Sequence, residues 1–388
     1  GAIHIWVASA RSHSKPRWHS EIGDRRKTVT SPKGLHGSRD TLAMPILYNV
    51  RHGLELALKY VLRELAAINM AVERDGAVDH DVKSYWEHLS AQVVGDHRCR
   101  TLIAALEPFV QSLGKIDPDG QALRYFQNRD GRQSLADYAV VHLPLIQASI
   151  AGLREILDQL VRRVSELEQE VAAGAMTNEC SRSDLIQIAG VVGAKATWTE
   201  AAFLDRKAEA RARFGLTSNG ISRALAVIQD ARELKTLIGI ETPLAYLSAG
   251  TLTEIAVRWL ETNPPPAANV ESTVVSATDI DFEEMDRHCK AAAVLDRWAL
   301  ERLSIEEFAD LQTIFYVGRD RLFGELYERV LEGTLATHRV ETRRIMLVHH
   351  ILSKTNFIDG LIAGLIRVGQ PTLATQIKQL QDEARPHL

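Results

Sequence analysis

The stretch Leu153-Arg154-Glu155-Ile156-Leu157-Asp158-Gln159-Leu160-Val161-Arg162-Arg163-Val164-Ser165-Glu166-Leu167-Glu168-Gln169-Glu170-Val171 decides how the fold is read. Its apolar positions, Leu153, Leu157, Leu160, Val164, Leu167 and Val171, alternate four and three residues apart, which places them in one seam along a helix. Pro144 suits the first turn of this helix, where its missing N–H costs nothing. Ala172-Ala173-Gly174 ends it, and a break extends to Ser183. Such a seam can close an intramolecular bundle or pair with a second chain.

Working outward, the same period governs the rest of the chain. Ile46, Leu47, Val50, Leu54, Leu58, Val61, Leu62 and Leu65 line one face over about six turns. Helices are expected at 82–94 and 100–113, then turns at Lys115-Ile116-Asp117-Pro118-Asp119-Gly120 and Asn128-Arg129-Asp130-Gly131. Residues 184–262 read as helical with stops at Gly215 and Gly239. Thr242-Pro243 and the capping-box pattern Thr251-Leu252-Thr253-Glu254 mark helix starts. Asn263-Pro264-Pro265-Pro266 opens a linker or loop. A helix over 281–302 follows, then one capped by Ser304-Ile305-Glu306-Glu307, and three more up to Leu380. No segment alternates long enough to build a sheet, so the expected fold is all-α. The expected organisation is an arm (1–43), a helical bundle (44–173), a helical region (183–262), a Pro-rich segment (263–280) and a C-terminal helical region (281–388).

The 388 residues carry 45% hydrophobic and 25% charged side chains and a net charge of -4. That profile excludes collagen-like, mucin-like and wholly disordered chains, and also a uniformly basic nucleic-acid binder. Cys99, Cys180 and Cys289 are far apart and form no CxxC pair, so neither a disulfide framework nor a thiol zinc site is expected. No metal or cofactor is expected. No apolar run approaches the roughly 18 residues of a membrane span. Ile3-His4-Ile5-Trp6-Val7 is too short for a signal sequence, and a cytoplasmic setting with no membrane partner is expected.

Charge is unevenly placed. Residues 1–43 hold Arg11, Lys15, Arg17, Arg25, Arg26, Lys27, Lys33 and Arg39 against Glu21, Asp24 and Asp40. The arm is therefore +5, which leaves -9 on the rest of a chain that is -4 overall. Arg17, Arg25, Arg26 and Lys27, interleaved with Trp6 and Trp18, could neutralise phosphates while the indoles stack on bases. The plain alternative is a solvated arm.

The run Pro45-Ile46-Leu47-Tyr48-Asn49-Val50-Arg51-His52-Gly53-Leu54-Glu55-Leu56-Ala57-Leu58-Lys59 resembles the first long helix of HEPN-type proteins. Trp86-Glu87-His88-Leu89, Leu123-Arg124-Tyr125-Phe126, the Arg129-Asp130-Gly131 turn and the long seam helix continue the resemblance across residues 44–172. It implies a four- to five-helix bundle, often dimeric. It also implies either a metal-independent ribonuclease of an antiphage or toxin system, or a binding module without catalysis. The family signature is an Arg followed four to six residues later by His. The histidine would move the proton of a 2′-hydroxyl, and the guanidinium would stabilise charge on the phosphate.

Within the resembling region the match is Arg74-Asp75-Gly76-Ala77-Val78-Asp79-His80. It lies in a loop after the first helix, whereas the family places its motif at the start of a later one. A second match, outside that region, is Arg343-Arg344-Ile345-Met346-Leu347-Val348-His349-His350. Arg344 and His349 would be turned about 140° apart on a helix. Chance placement of Arg and His at this composition yields nearly as many pairs. The catalytic candidates are thus Arg74 with His80 and Arg344 with His349.

Residues 209–225 resemble a helix-turn-helix, with Gly215 at the turn and Ile221 inward. Ser218, Asn219, Ser222 and Arg223 would face a groove. Arg211 departs from that pattern, because packing there wants a small residue; the alternative is a plain helical hairpin.

The leading expectation is a HEPN-like protein that binds or cleaves RNA. The alternatives are a helical adaptor without catalysis that oligomerises through Leu153–Val171, and a DNA-binding regulator. RNA ranks ahead of DNA as a partner, beside a second copy of the chain or a partner protein.

Overall fold

The computed structural model describes residues 39–75, 79–125, 127, 131, 133–135, 142–264 and 282–384. The arm residues Arg17, Arg25, Arg26 and Lys27 lie outside them, as do Arg129, Asp130 and most of the Pro-rich segment. The described chain is all-helical; its only strand-like feature is an isolated bridge between Gln127 and Gln133. Among the described residues, no helix is long and apolar enough to cross a membrane. Two compact units form. One comprises residues up to Val93 with Arg98–Ser165, the other Val94–His97 with Glu166–Leu388.

The first unit contains α1 (Arg39–Ala67), α2 (Val82–Ser90), α3 (His97–Ala105), α4 (Glu107–Ile116) and the first part of α5 (Leu143–Ala173). Leu54, Leu58, Val61, Leu62 and Leu65 are buried along α1, as their period requires. The helix expected at 82–94 is shorter. Asp81 caps its start by accepting from the amides of Lys83 and Ser84. The helix expected at 100–113 is two helices. Pro108 has no N–H to give and would clash with the carbonyl four residues back, so the chain breaks at Leu106 and restarts with the proline in the first turn of α4.

On α5, Leu153, Leu157, Leu160, Val164 and Leu167 are all buried within this chain. Arg98 reaches Gln159 from α3, and Phe109 of α4 lies against Gly152. The seam therefore closes an intramolecular core. Of the two alternatives for the seam, the intramolecular one accounts for these five residues, while Val171 at its end is only partly buried.

The second unit holds two hydrophobic cores. Leu185, Ile188, Val192, Phe214, Ile221, Leu225 and Ile228 form one, from α6 (Arg182–Val192), α7 (Ala202–Phe214) and α8 (Ser218–Asp230), closed by the 3₁₀ turn Leu234–Ile238. The other joins α9 (Ala249–Thr262), α10 (Phe282–Arg302), α11 (Ile305–Arg319), α12 (Tyr327–His338), α13 (Glu341–Leu352), α14 (Phe357–Arg367) and α15 (Pro371–Glu383). The division between these cores falls before α9, so residues 183–262 do not share one core. Trp259 explains why: it is buried beside Phe357, and its indole N–H donates to the Leu352 carbonyl at 2.8 Å.

The expected cap at Thr251 also moves. Ser248 is the N-cap, accepting from the Thr251 amide at 3.0 Å, and Glu254 lies inside the helix. Thr242-Pro243 starts no helix. The segment after it is irregular, with a bend at Ala245–Tyr246, and the amides of Tyr246 and Leu247 donate to the buried Asp310 carboxylate at 2.9 and 3.0 Å. The Ser304–Glu307 capping box is present as read.

Candidate functional site

Arg51, Glu55 and Lys59 recur every fourth residue on α1, so their side chains share one face. That face is polar yet largely covered: Arg51 and Glu55 are each 2% exposed. A buried guanidinium needs its donors satisfied. Its Nε donates to the Asp117 carbonyl at 2.8 Å and its Nη1 to Glu55 Oε2 at 3.2 Å. Its Nη2 donates to the carbonyls of His80 at 2.5 Å and Pro118 at 3.1 Å. One side chain thus pins two loops, 79–81 and 117–120, against α1. Gly120 makes room for this, because at φ +78° a Cβ would sit 3.0 Å from Arg51 Nη1.

Glu55 is the hub. Oε1 accepts from Lys59 Nζ at 2.7 Å and from His80 Nδ1 at 3.0 Å. Burial alone would push its carboxyl up, but hydrogen bonds from His52, Lys59 and His80 outweigh burial and hold it well below the ordinary carboxylate range. His80 itself is 64% exposed. A hydrogen bond to an ionised carboxylate assigns the Nδ1 proton, so that Nε2 is the acceptor of the neutral ring.

Beside this dyad, Lys59 Nζ also donates to the Asp79 carbonyl at 2.8 Å. Arg74 forms a two-pronged pair with the Asp79 carboxylate at 3.0 and 2.8 Å. That pair, with its donated hydrogen bonds the leading cause, lowers Asp79 and raises Arg74. Lys59 and Arg74 both lie over the Tyr85 ring, at 4.9 and 4.6 Å from its centroid. Arg74 and His80 therefore belong to one cluster, linked through Asp79, Lys59 and Glu55. The cluster presents an exposed imidazole backed by a buried carboxylate that Lys59 shares, with Arg74 held nearby on Asp79.

Arg344 and His349 are not brought together. Arg344 Nη2 donates to the Leu303 carbonyl at 2.6 Å, and its charge, after burial, is a second cause lowering the buried His338. His349 Nδ1 instead donates to Asp296 on α10 at 2.7 Å. The 140° separation along α13 keeps them on different sides of the helix.

The helical hairpin α7–α8 is present, with Ile221 buried and Ser218, Asn219, Ser222 and Arg223 exposed. Ala210, one residue before Arg211, takes the buried position, and Arg211 donates to Ser218 Oγ at 3.1 Å. Arg223, the cation of that face, is paired with Glu179 at 2.6 Å.

Arg51, Glu55, Lys59 and Asp117 were not singled out by sequence. The four-residue spacing on α1 was the available signal. Among the described residues, no three His, Cys, Asp or Glu side chains converge to hold a metal ion. Comparison with protein-family models, with curated proteins and with solved structures finds no match to this chain, so the case for any activity rests on the chemistry of its own residues.

Proposed function

We propose that the first unit is a HEPN-like helical bundle that acts on RNA, with His80 as the group that moves the proton. One observation carries this reading: an exposed imidazole is held 3.0 Å from a carboxylate that is itself buried and ionised. Such a carboxylate orients the ring and stabilises the imidazolium that forms when Nε2 accepts a proton. In RNA cleavage that proton comes from a 2′-hydroxyl. The 2′-oxygen bonds to the adjacent phosphorus, the bond to the 5′-oxygen breaks, and the 5′-oxygen leaves with a proton from the imidazolium or water. A cyclic 2′,3′-phosphate remains. Lys59 and Arg74 supply positive potential where phosphate charge grows. An antiphage or toxin setting follows from the HEPN-like reading alone.

Labelled RNA incubated with the protein in EDTA tests this. The expected outcome is fragments ending in cyclic phosphate, with the rate reduced about 10²–10⁴-fold in His80→Ala, the range of general acid–base catalysis. His80 is exposed, so that variant keeps its fold, which circular dichroism verifies. His349→Ala is expected to cleave at the normal rate. Cleavage that survives His80→Ala, or its absence from the unaltered protein, overturns the proposal.

A further inference from the structure

In the first three turns of α10, from Phe282 to Ala291, none of the residues whose side chains are described is buried, whereas Leu295 and Ala299 of the same helix are core. The exposed part is nevertheless amphipathic. Phe282, Met285, Cys289 and Ala292 follow one another at three, four and three residues. They fall within about 80° of arc at 100° per residue. Phe282 is 68% exposed and Met285 53%, and Cys289 is exposed too. A stripe of this kind on a helix needs a cover.

Charge says which cover. Along the flank beside the stripe stand Glu283, Asp286, Lys290 and Arg297, all exposed, with acids first and bases after. A second copy of the helix running parallel would set acid against acid and base against base. Running antiparallel, it sets each acidic start against the basic second half of its neighbour. The stripe itself is palindromic about position 287: Phe282 and Ala292 lie five residues to either side of it, Met285 and Cys289 two.

We infer that α10 is a self-association surface, on which two copies of this chain pair their Phe282–Ala292 stripes antiparallel about a two-fold axis near Arg287, which brings the two Cys289 side chains close together. It lies outside the HEPN-like region and is distinct from the α5 seam, which is buried. Three turns span roughly 15 Å. Such a contact falls below the about 1,200 Å² of lasting complexes, so the association is reversible and depends on concentration.

The two-fold axis gives a direct readout. Cys99 and Cys180 are buried, so a short bis-maleimide reacts at Cys289. Each thiolate adds across one maleimide double bond and a proton goes to carbon, with no oxidant required. The full chain is expected to yield a covalent dimer, and light scattering to show mass rising from monomer toward dimer over the micromolar range. Replacing both Phe282→Ser and Met285→Glu, exposed residues whose loss leaves the core intact, should cut both signals about tenfold or more. Asp286→Lys and Lys290→Glu should each weaken association, and the two together in one chain should restore it, because the swap keeps opposite charges opposed. Four results would overturn the inference: a monomer at every concentration with Cys289 freely alkylated; a monomer whose Cys289 is shielded, meaning the chain covers its own stripe; cross-linking indifferent to the apolar substitutions; or a charge swap that fails to recover.

Discussion

Glu55 shows how one residue sets the character of a site. Removing water from a carboxylate is costly, and it stays ionised because Lys59 and His80 donate to it while Arg51 lies beside it. In Glu55→Gln Lys59 loses its counter-charge and Arg51 keeps only that of Asp117, a change expected to cost about 3 kcal/mol near neutral pH by denaturant unfolding. The pH dependence has a definite sign. The carboxyl lies below its ordinary 4.5 in the fold, so its contribution is complete above that value and is lost as pH falls toward the depressed folded value. The gap between the two proteins should therefore be widest near neutrality and shrink as acid is added below about pH 4.5. A gap that stays constant through acid would show that Glu55 is not the ionised hub. The spacing of Arg51, Glu55 and Lys59 was visible in the sequence, but the partners that give it meaning were not. Asp117 is 66 residues from Arg51 and His80 is 29 away, and no local pattern encodes such closures. Arg74 and His80 could be paired from sequence because their spacing is local.

Helices obey the same distinction between local and distant causes. The apolar periods of α1 and α5 and the Ser304 capping box were legible, since each is complete within a few turns of chain. The break at Leu106 was also written locally, in Pro108, whose cost in a helix interior outweighs the surrounding apolar period. Membership of α9 in the C-terminal core was not legible, because it depends on Trp259 meeting Leu352 and Phe357 some ninety residues later. The crossing of α11 and α14 is a second distant closure. A Cβ on Gly318 would overlap the Gly360 carbonyl, and one on Gly364 would overlap the carbonyl of Ile314, so these glycines let the two backbones touch. Gly364→Ala is expected to cost about 3 kcal/mol, because backbone cannot yield as a flexible side chain can. Gly333→Ala, on a helix with nothing within 4 Å of the added methyl, should be neutral or slightly stabilising. Thermal unfolding of the pair measures the contrast; equal melting temperatures would mean the helices can separate freely.

At the scale of the whole molecule, the second unit raises the question of how two hydrophobic cores remain one body. Between them lies a polar joint. Arg182, at the start of α6, pairs with Glu233 at 2.7 Å and Glu325 at 3.1 Å and stacks on Phe323 at 4.3 Å. Glu233 also accepts from the Gly324 amide at 2.8 Å. Burial pushes the Glu233 carboxyl up, and Arg182 is the strongest influence opposing it. Without that cation, two neighbouring carboxylates face each other in a half-closed site. Arg182→Met keeps the apolar stem that covers Phe323 but removes the charge, and should cost about 3–5 kcal/mol at pH 8. The penalty should fall at pH 4, where protonation of Glu233, whose carboxyl burial pushes up, relieves the repulsion that the arginine had cancelled. If the joint is what couples the cores, hydrogen exchange in α7 and α8 should accelerate at pH 8 while α11 and α14 remain protected. Uniform acceleration across both cores would mean that apolar contact, and not this cluster of charges, makes the unit cooperative.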